Sequence, residues 1–462
     1  MDKAVYVVSD LHLGPGRLPN GSWDPLEDFV YGEDFARFVD TIGRSRDPLE
    51  LVIAGDFLEY PQTLPAIGLT SPADHLGTTE DESLLRTEVI LGRRPEIASG
   101  HPEVFAALRR FMIEGHSITI IVGNHDIDLF WKRVWTLIFD AIYPPGAWGE
   151  LRRVAYSHTI GNAEHGRVHI EHGHEHDPAN RFGDRMERPF AVDHQGVQRL
   201  KRCWGTLFVD KVYNELEQGR WFIDNVKPIP RVVKLGLRND FLFTATALGL
   251  ITRFLLTSGL PPMLGGAEDA EPIGDILGGA APEAEQVIDQ VADDDLRKAI
   301  EAQLSDPAFR AEIESSLAGM SSAEWGMVQA GAASAVTLDD VSGGVSGDLV
   351  LGGGDGAEDA YQQAARAVME ADPQIETVIM GHTHGPIDGY LRPFDLQSGR
   401  KGLYFNTGTW TRHLKHEGQQ SYTWQEIGEE MSYTSSFTFV KLEPQRDGSY
   451  QPRLGSWALG DT

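Results

Sequence analysis

Met380-Gly381-His382-Thr383-His384 decides how this chain is read, because two histidines one residue apart complete a set of metal-ligand residue types begun near the N-terminus. Upstream stand Ser9-Asp10-Leu11-His12-Leu13-Gly14, Gly55-Asp56-Phe57-Leu58-Glu59, Gly123-Asn124-His125-Asp126 and His172-Gly173-His174, in that order. Asp, Asn and His mix hard oxygen donors with imidazole nitrogen, a combination suited to Mn, Fe or Zn. Two such cations roughly 3.5–4 Å apart can clamp the attacking and leaving oxygens of a phosphoryl transfer, and one shared carboxylate is the simplest bridge between them.

Around these motifs, short β-branched runs predict strands at Ala4–Val8, Glu50–Ala54, Ser117–Val122 and Arg167–His172. The first three run straight into loops carrying Asp, His or Asn, as expected where a rigid sheet presents functional groups at its strand ends. Asp81–Leu91, Pro102–Glu114 and Tyr361–Ala371 read as helices and Pro61–Thr79 as loop. Thr377–Met380 reads as the strand that feeds the His-Thr-His loop, followed by strands at Leu403-Tyr404-Phe405 and Ser436–Leu442. Alternation of this kind belongs to an α/β or layered α+β domain.

With 462 residues, 41% of them hydrophobic, the chain can bury one large core or two modest ones. Its single cysteine, Cys203, excludes an intramolecular disulfide, and Met1-Asp2-Lys3 leads into the first strand without an apolar export segment. The expectation is a cytoplasmic protein, with contact at a membrane surface left open. A formal charge of −29 argues against nucleic acid as partner, since that binding rests on neutralising phosphates with Lys and Arg. The charge is uneven: Arg181–Arg238 holds 12 Lys+Arg against 7 Asp+Glu, net +5, whereas Leu264–Asp359 holds 3 against 21, net −18.

Arg181–Leu260 has helical spacing and many aromatics (Trp204, Phe208, Tyr213, Trp221, Phe222), with Pro228 and Pro230 as punctuation, and reads as an inserted helical cap. Within it, Phe241–Leu260 is 20 residues long and mainly apolar, but Arg253 and four threonines favour a buried cap helix over a membrane span. Gly265–Ala284 and Ser342–Gly356 read as linkers, and Ala284–Leu304 with Pro307–Leu317 as a small acidic helical module. The expected division is a catalytic domain in two parts, 1–177 and 361–462, interrupted by a cap at 178–263 and the acidic segment at 264–360.

The five motifs, in this order, resemble those of the calcineurin-like metallophosphoesterases over residues 4–177 and 376–410. The resemblance implies an α+β fold, a four-layer α/β/β/α sandwich here carrying a large, mainly helical insertion. It implies two divalent metal ions, Mn first with Fe, Zn and Mg as alternatives. Asp10, His12, Asp56 and His384 would hold one, and Asp56, Asn124, His172 and His382 the other. It places His125 beside the scissile phosphate, with Glu59 as its acidic partner, and makes a metal-bridging hydroxide the nucleophile. His174 is the candidate substrate contact, and His174 and His176 can equally be solvated loop residues. Asp126 is expected to cap its loop, and Asn406-Thr407-Gly408-Thr409-Trp410 to form a turn that supports the metal loop.

Ser9–Gly14 and Gly55–Glu59 are further similar to the branch that contains UDP-2,3-diacylglucosamine diphosphatase, although that branch typically has Arg at the position of His125. The resemblance therefore implies a hydrolase of phosphoesters or diphosphates, with a lipid-linked or nucleotide-linked phosphate as substrate. Alternatives are a cyclic-nucleotide or other small-molecule phosphodiesterase, and a non-catalytic metal-bearing scaffold. The expected partner is a phosphate-bearing small molecule or lipid. Oligomeric state is left open.

Overall fold

The structure is a computed structural model and describes residues 3–65, 76–162, 164, 166–223, 240, 243, 247, 360–413, 423–429, 432–433 and 436–458. The acidic segment, the prolines at 228 and 230, and Phe241–Leu260 apart from Phe243 and Ala247 lie outside the described residues.

Two sheets form the centre. The first contains β1 (Ala4–Val8), β2 (Leu49–Ala54), β3 (Ser117–Ile121) and β4 (Leu151–Val154) in parallel, with β12 (Ser436–Pro444) and β13 (Tyr450–Ala458) added antiparallel beside β1, in the order β13-β12-β1-β2-β3-β4. The second has the order β10-β11-β9-β6-β5, from β5 (Ser157–Asn162), β6 (Gly166–Glu171), β9 (Ile375–Met380), β10 (Phe394–Asp395) and β11 (Lys401–Asn406). The remaining strands, β7 (Phe190–Val192) and β8 (Gln198–Leu200), form a separate hairpin.

Side-chain alternation along each strand builds the layers. On β2, Leu49, Leu51 and Ile53 face the helices α1 (Gly32–Ile42), α2 (Glu80–Ile90), α3 (Pro102–Ile113) and α4 (Lys132–Ile142), while Val52 and Ala54 face the second sheet. Between the sheets, Val5, Val7, Val52 and Ile121 meet Ile160, Ile170, Ile379 and Phe405. A further helix, Ala360–Ala371, covers the far side of the second sheet through Tyr361, Ala365 and Met369 against Val378, Met380 and Tyr404. The layers are thus helix, sheet, sheet, helix. A polar cluster enters the inter-sheet layer: Glu50 shares the parity of Val52 and accepts from Thr119 Oγ1 (2.6 Å) and Arg152 Nη2 (2.9 Å). His158 Nε2 stands 3.1 Å from the same oxygen. Burial alone would raise the Glu50 pKa, but His158, Thr119 and Arg152 together bring it down to about 2.

Register places the site. Val8 pairs with Ile53 and Ala54 with Ile121, so β1, β2 and β3 end side by side; Ile170 pairs with Ile379 and Met380 with Asn406, so β6, β9 and β11 do the same. Six motif-bearing loops therefore leave the two sheets at one end.

The expected strands are present within a residue or two of their bounds, as are both helices between β2 and β3. Where Arg181–Leu200 was expected to be helical, it instead holds the β7–β8 hairpin. The Asp193 carboxylate accepts from the Gln195 and Val197 backbone and faces Arg199, and Gly196 turns at φ +79, closing the hairpin locally. Apart from a single 3-10 turn at Gly183–Met186, helical structure begins at Trp204–Phe208 and runs through Val209–Tyr213, as a π-helical turn, to Asn214–Glu217.

Trp410 joins the layers to the site. It is fully buried, stacks on Phe437 at 4.9 Å with an interplanar angle of 14°, and meets Phe35 and Phe38 edge-on or tilted. Its backbone N–H donates to Asp10 O (3.1 Å). Trp410→Ala should cost about 3–5 kcal/mol, as large aromatic truncations in a closed core do. Urea unfolding should show a lower midpoint at unchanged slope.

Candidate metal centre

Each motif loop turns sharply as it leaves its strand. Asp10, His12, Asp56, His382 and His384 all adopt left-handed backbone, with φ between 47 and 68. Non-glycine residues rarely do so, and such strain persists where surroundings over-determine it. The turns aim side chains back across the sheet ends, and the glycines beside them leave the room. A Cβ on Gly55, itself at φ +91, would overlap the His172 ring; one on Gly123 would overlap Asp56, and one on Gly381 would overlap Ser9 and Asp10.

All seven expected ligand residues come together. Among the described residues, Asp10, His12 and His384 form one group and Asp56, His172 and His382 another, each with donor atoms within 4.8 Å of one another. Asn124 joins the second group, its Oδ1 lying 3.2 Å from His172 Nε2, while Asp56 Oδ2 lies 3.0 Å from the same nitrogen. Asp56 also stands 3.7 Å from His12 Nε2, so it touches both groups.

Tautomers follow from the outer partners. His172 Nδ1 donates to Ala54 O (2.9 Å), which turns Nε2 inward. His12 Nδ1 lies 2.6 Å from Glu59 Oε2, and that carboxylate can only accept, so His12 Nε2 is the nitrogen left facing the centre. The same Glu59 oxygen lies 2.7 Å from His125 Nδ1. Glu59 thus serves two imidazoles, one in the ligand set and one outside it. Burial would raise its pKa, but His125 and His12 bring it to about 2. His125 itself lies close enough to His12 and Asp56 to form a third group of donors.

Charge supplies the test of whether a cation fits. His12 Nε2 is buried without a hydrogen bond, facing Asp10 Oδ1 at 3.9 Å and Asp56 Oδ2 at 3.7 Å. Burial pushes the His12 pKa down, yet Asp10, Glu59 and Asp56 raise it well above the ordinary value; His172 rises to about 9 by the same opposition, against Asp56 and Asp10. The two aspartates are held well below the usual carboxylate range. Buried carboxylates facing imidazoles call for positive charge in this pocket; divalent cations would supply it in place of protons, and the N/O donor set suits them.

Other expected residues sort by contact. His174 is buried beside His172, its Nε2 near Met186 Sδ (3.2 Å) and its Nδ1 without a hydrogen bond. His176 turns away to Glu171 (2.8 Å). The Asp126 carboxylate accepts from Gly123 N (2.6 Å) and Phe57 N (2.9 Å), tying two motif loops together; burial, with Asp56 nearby, raises its pKa to about 7. Asn406 Nδ2 donates to Gly381 O (2.7 Å), and Thr409 Oγ1 to Asp10 O (2.8 Å), so the turn after β11 braces both metal loops. Two residues outside the sequence reading also enter: Asp177, whose Oδ2 is 3.2 Å from His382 Nε2, and Asn180, whose Oδ1 is 3.4 Å from Asn124 Nδ2. Their only sequence signal was the position of Asp177 five residues after His172.

A sandwich that gathers Asp, Asn and His from five loops at one end is arranged to hold metal ions. Residues 3–223 match the calcineurin-like phosphoesterase family model, and the chain carries a domain of that family: it is a metal-dependent phosphoesterase. Among solved structures, that of the calcineurin-like phosphoesterase YfkN from Bacillus subtilis is similar at 10% identity, over 99% of this chain and 90% of its own, with a TM-score of 0.30. No curated protein matches the chain.

The loop after His12 hangs on a second buried pair. Glu27 Oε2 accepts from Gly16 N (2.5 Å) and lies 3.0 Å from His101 Nε2. Burial lowers the His101 pKa, but Glu27 and Glu103 raise it to about 9. A raised histidine pKa contributes stability that is fully present below about pH 6.5 and lost as pH rises through about 9. His101→Gln should therefore be less stable than wild type near pH 6, and chemical denaturation should find the difference shrinking by about pH 10.

Proposed function

We propose that this phosphoesterase works with two divalent cations, Mn first, one held by Asp10, His12, Asp56 and His384 and the other by Asp56, Asn124, His172 and His382. The observation that carries this reading is the buried, unbonded His12 Nε2 facing two carboxylates at distances too long for a hydrogen bond. When bound, the cations supply Lewis acidity, neutralising phosphoryl oxygens and lowering the pKa of water. The protein's own groups do the rest. Glu59 fixes His125 through Nδ1, which leaves Nε2 to donate to a phosphoryl oxygen or protonate the leaving oxygen. The short Glu59 contact to His12 aligns a ligand with the same carboxylate, and His174 Nδ1 offers a polar atom to substrate beside His172.

The substrate we propose is a phosphate-bearing amphiphile, a lipid-linked phosphate before a nucleotide-linked one. Net positive Arg181–Arg238 leads into apolar Phe241–Leu260 within a chain of net −29, which joins an anion-attracting stretch to one suited to an acyl chain. Residues 178–263 would be the cap that holds the tail, working in the cytoplasm at a membrane surface. Among the described residues no helix is long and apolar enough to cross a membrane.

Asp56→Asn should lower metal content at both positions and abolish turnover of a chromogenic phosphodiester; two metals retained with full activity would sink the assignment. His125→Ala should keep two metals and lose roughly 10²–10⁴ in turnover, the usual scale for a positioned acid or base. If it sheds a metal instead, His125 is a ligand. Glu59→Gln should do both, because one carboxylate serves His12 and His125, with metal affinity down about 10–100-fold. For substrate, kcat/KM should rise with acyl length across a phosphodiester series, and Leu248→Asp with Leu255→Asp should flatten that rise. Rates indifferent to chain length in wild type would overturn the amphiphile.

A further inference from the structure

We infer that Asp177 and Asn180 are positioning residues for the second cation, fixing which atom His382 and Asn124 each present to it. The inference rests on the ligand reading proposed above and adds two residues to it.

Asp177 follows β6 on the loop of His172 and is buried at 4% exposure. Its Oδ1 accepts from Ala179 N (2.9 Å), and Asn180 N donates to Asp177 O (3.1 Å), so a tight turn fixes the carboxylate before it touches the site. Its Oδ2 then takes two partners, Asn180 Nδ2 at 2.7 Å and His382 Nε2 at 3.2 Å. A carboxylate only accepts, so His382 must carry its proton on Nε2, and Nδ1 is the lone pair left for a cation beside Asp56 and His172.

The same logic passes through Asn180. With Nδ2 committed to Asp177, its Oδ1 faces Asn124 Nδ2 at 3.4 Å and can only accept. That turns Asn124 Oδ1 toward His172 Nε2, where it lies at 3.2 Å. Two ligands from different sheets, one on the loop after β3 and one after β9, are thus oriented by a single carboxylate. The arrangement also reaches the helix that begins at Trp204. Gly205 N donates to Ala179 O (2.8 Å), and a Cβ on Gly205 would overlap the Asn180 amide, so the helix start is seated against this pair.

Titration of metal-free full-length protein with Mn²⁺ by calorimetry, with electron paramagnetic resonance of the loaded samples, tests this. Wild type should take two equivalents and show the exchange-coupled signal of a Mn pair. Asp177→Asn, which keeps an acceptor for Ala179 N, and Asn180→Ala should each take the first equivalent with wild-type affinity. Each should bind the second about 10–100-fold more weakly, with an uncoupled six-line signal at one equivalent. Asp193→Asn, in the β7–β8 hairpin, controls for loss of a carboxylate elsewhere. A merely structural role would lower thermal stability and leave the order of filling and the coupling intact. Variants that fill both positions like a two-equivalent wild type overturn the inference alone. A wild type that takes fewer than two equivalents overturns the ligand reading, and this inference with it.

Discussion

Negative charge withdrawn from water governs this structure. Asp10, Asp56, Glu59 and Asp177 are all buried at 4% exposure or less within one cluster of loops, and carboxylates cannot stay ionised there without compensation. Imidazoles and backbone N–H groups supply part of it: His382 N donates to Asp10 (2.9 Å) and His125 N to Asp56 (2.9 Å). Left-handed turns at Asp10, His12, Asp56, His382 and His384 and glycines without room for a Cβ follow from the need to bring these groups close. In-register strand ends in two sheets make that possible, because a slip of one residue would send alternate side chains to the wrong layer.

Much of this was legible in the sequence, for a physical reason. Most strands that end at the site are short apolar runs stopped by Ser-Asp or Gly, and both signals are local. Ala4–Val8 followed by Ser9-Asp10 needs nothing beyond its own residues to be read, and helices α2 and α3 announce themselves by a Thr79/Glu82 capping box and Pro102 at the first turn. Helix α1 was not among the expected elements, although Phe35, Phe38, Val39 and Ile42 stand at helical spacing.

What escaped was set by contacts distant in sequence. Asp177 matters through His382, 205 positions away, and Asn180 through Asn124, 56 positions away; beyond the place of Asp177 five residues after His172, no local pattern marks either. Glu59 could be paired with His125 from the motif, but its second hold on His12 depends on β1 and β2 ending in register. The β7–β8 hairpin was hidden differently: its aromatic and charged residues fit helical spacing as well, and the turn chemistry of Asp193 and Gly196 decided the outcome.

Pairing order has a consequence for how the chain is made. β1 is hydrogen-bonded on one side to β2 and on the other to β12, with Val5 opposite Leu442 and Val7 opposite Val440. At a synthesis pace of about 5–20 residues per second, roughly 20–90 s separate the emergence of those two partners. Throughout that interval β1 is an edge strand with a row of unsatisfied N–H and C=O groups, and its valines await a second sheet whose β9 and β11 also come after the insertion. Exposed edges of this kind recruit other strands. Closing that edge therefore waits on strands encoded near the far end of the chain, since β1 gains its second neighbour only when β12 has been made.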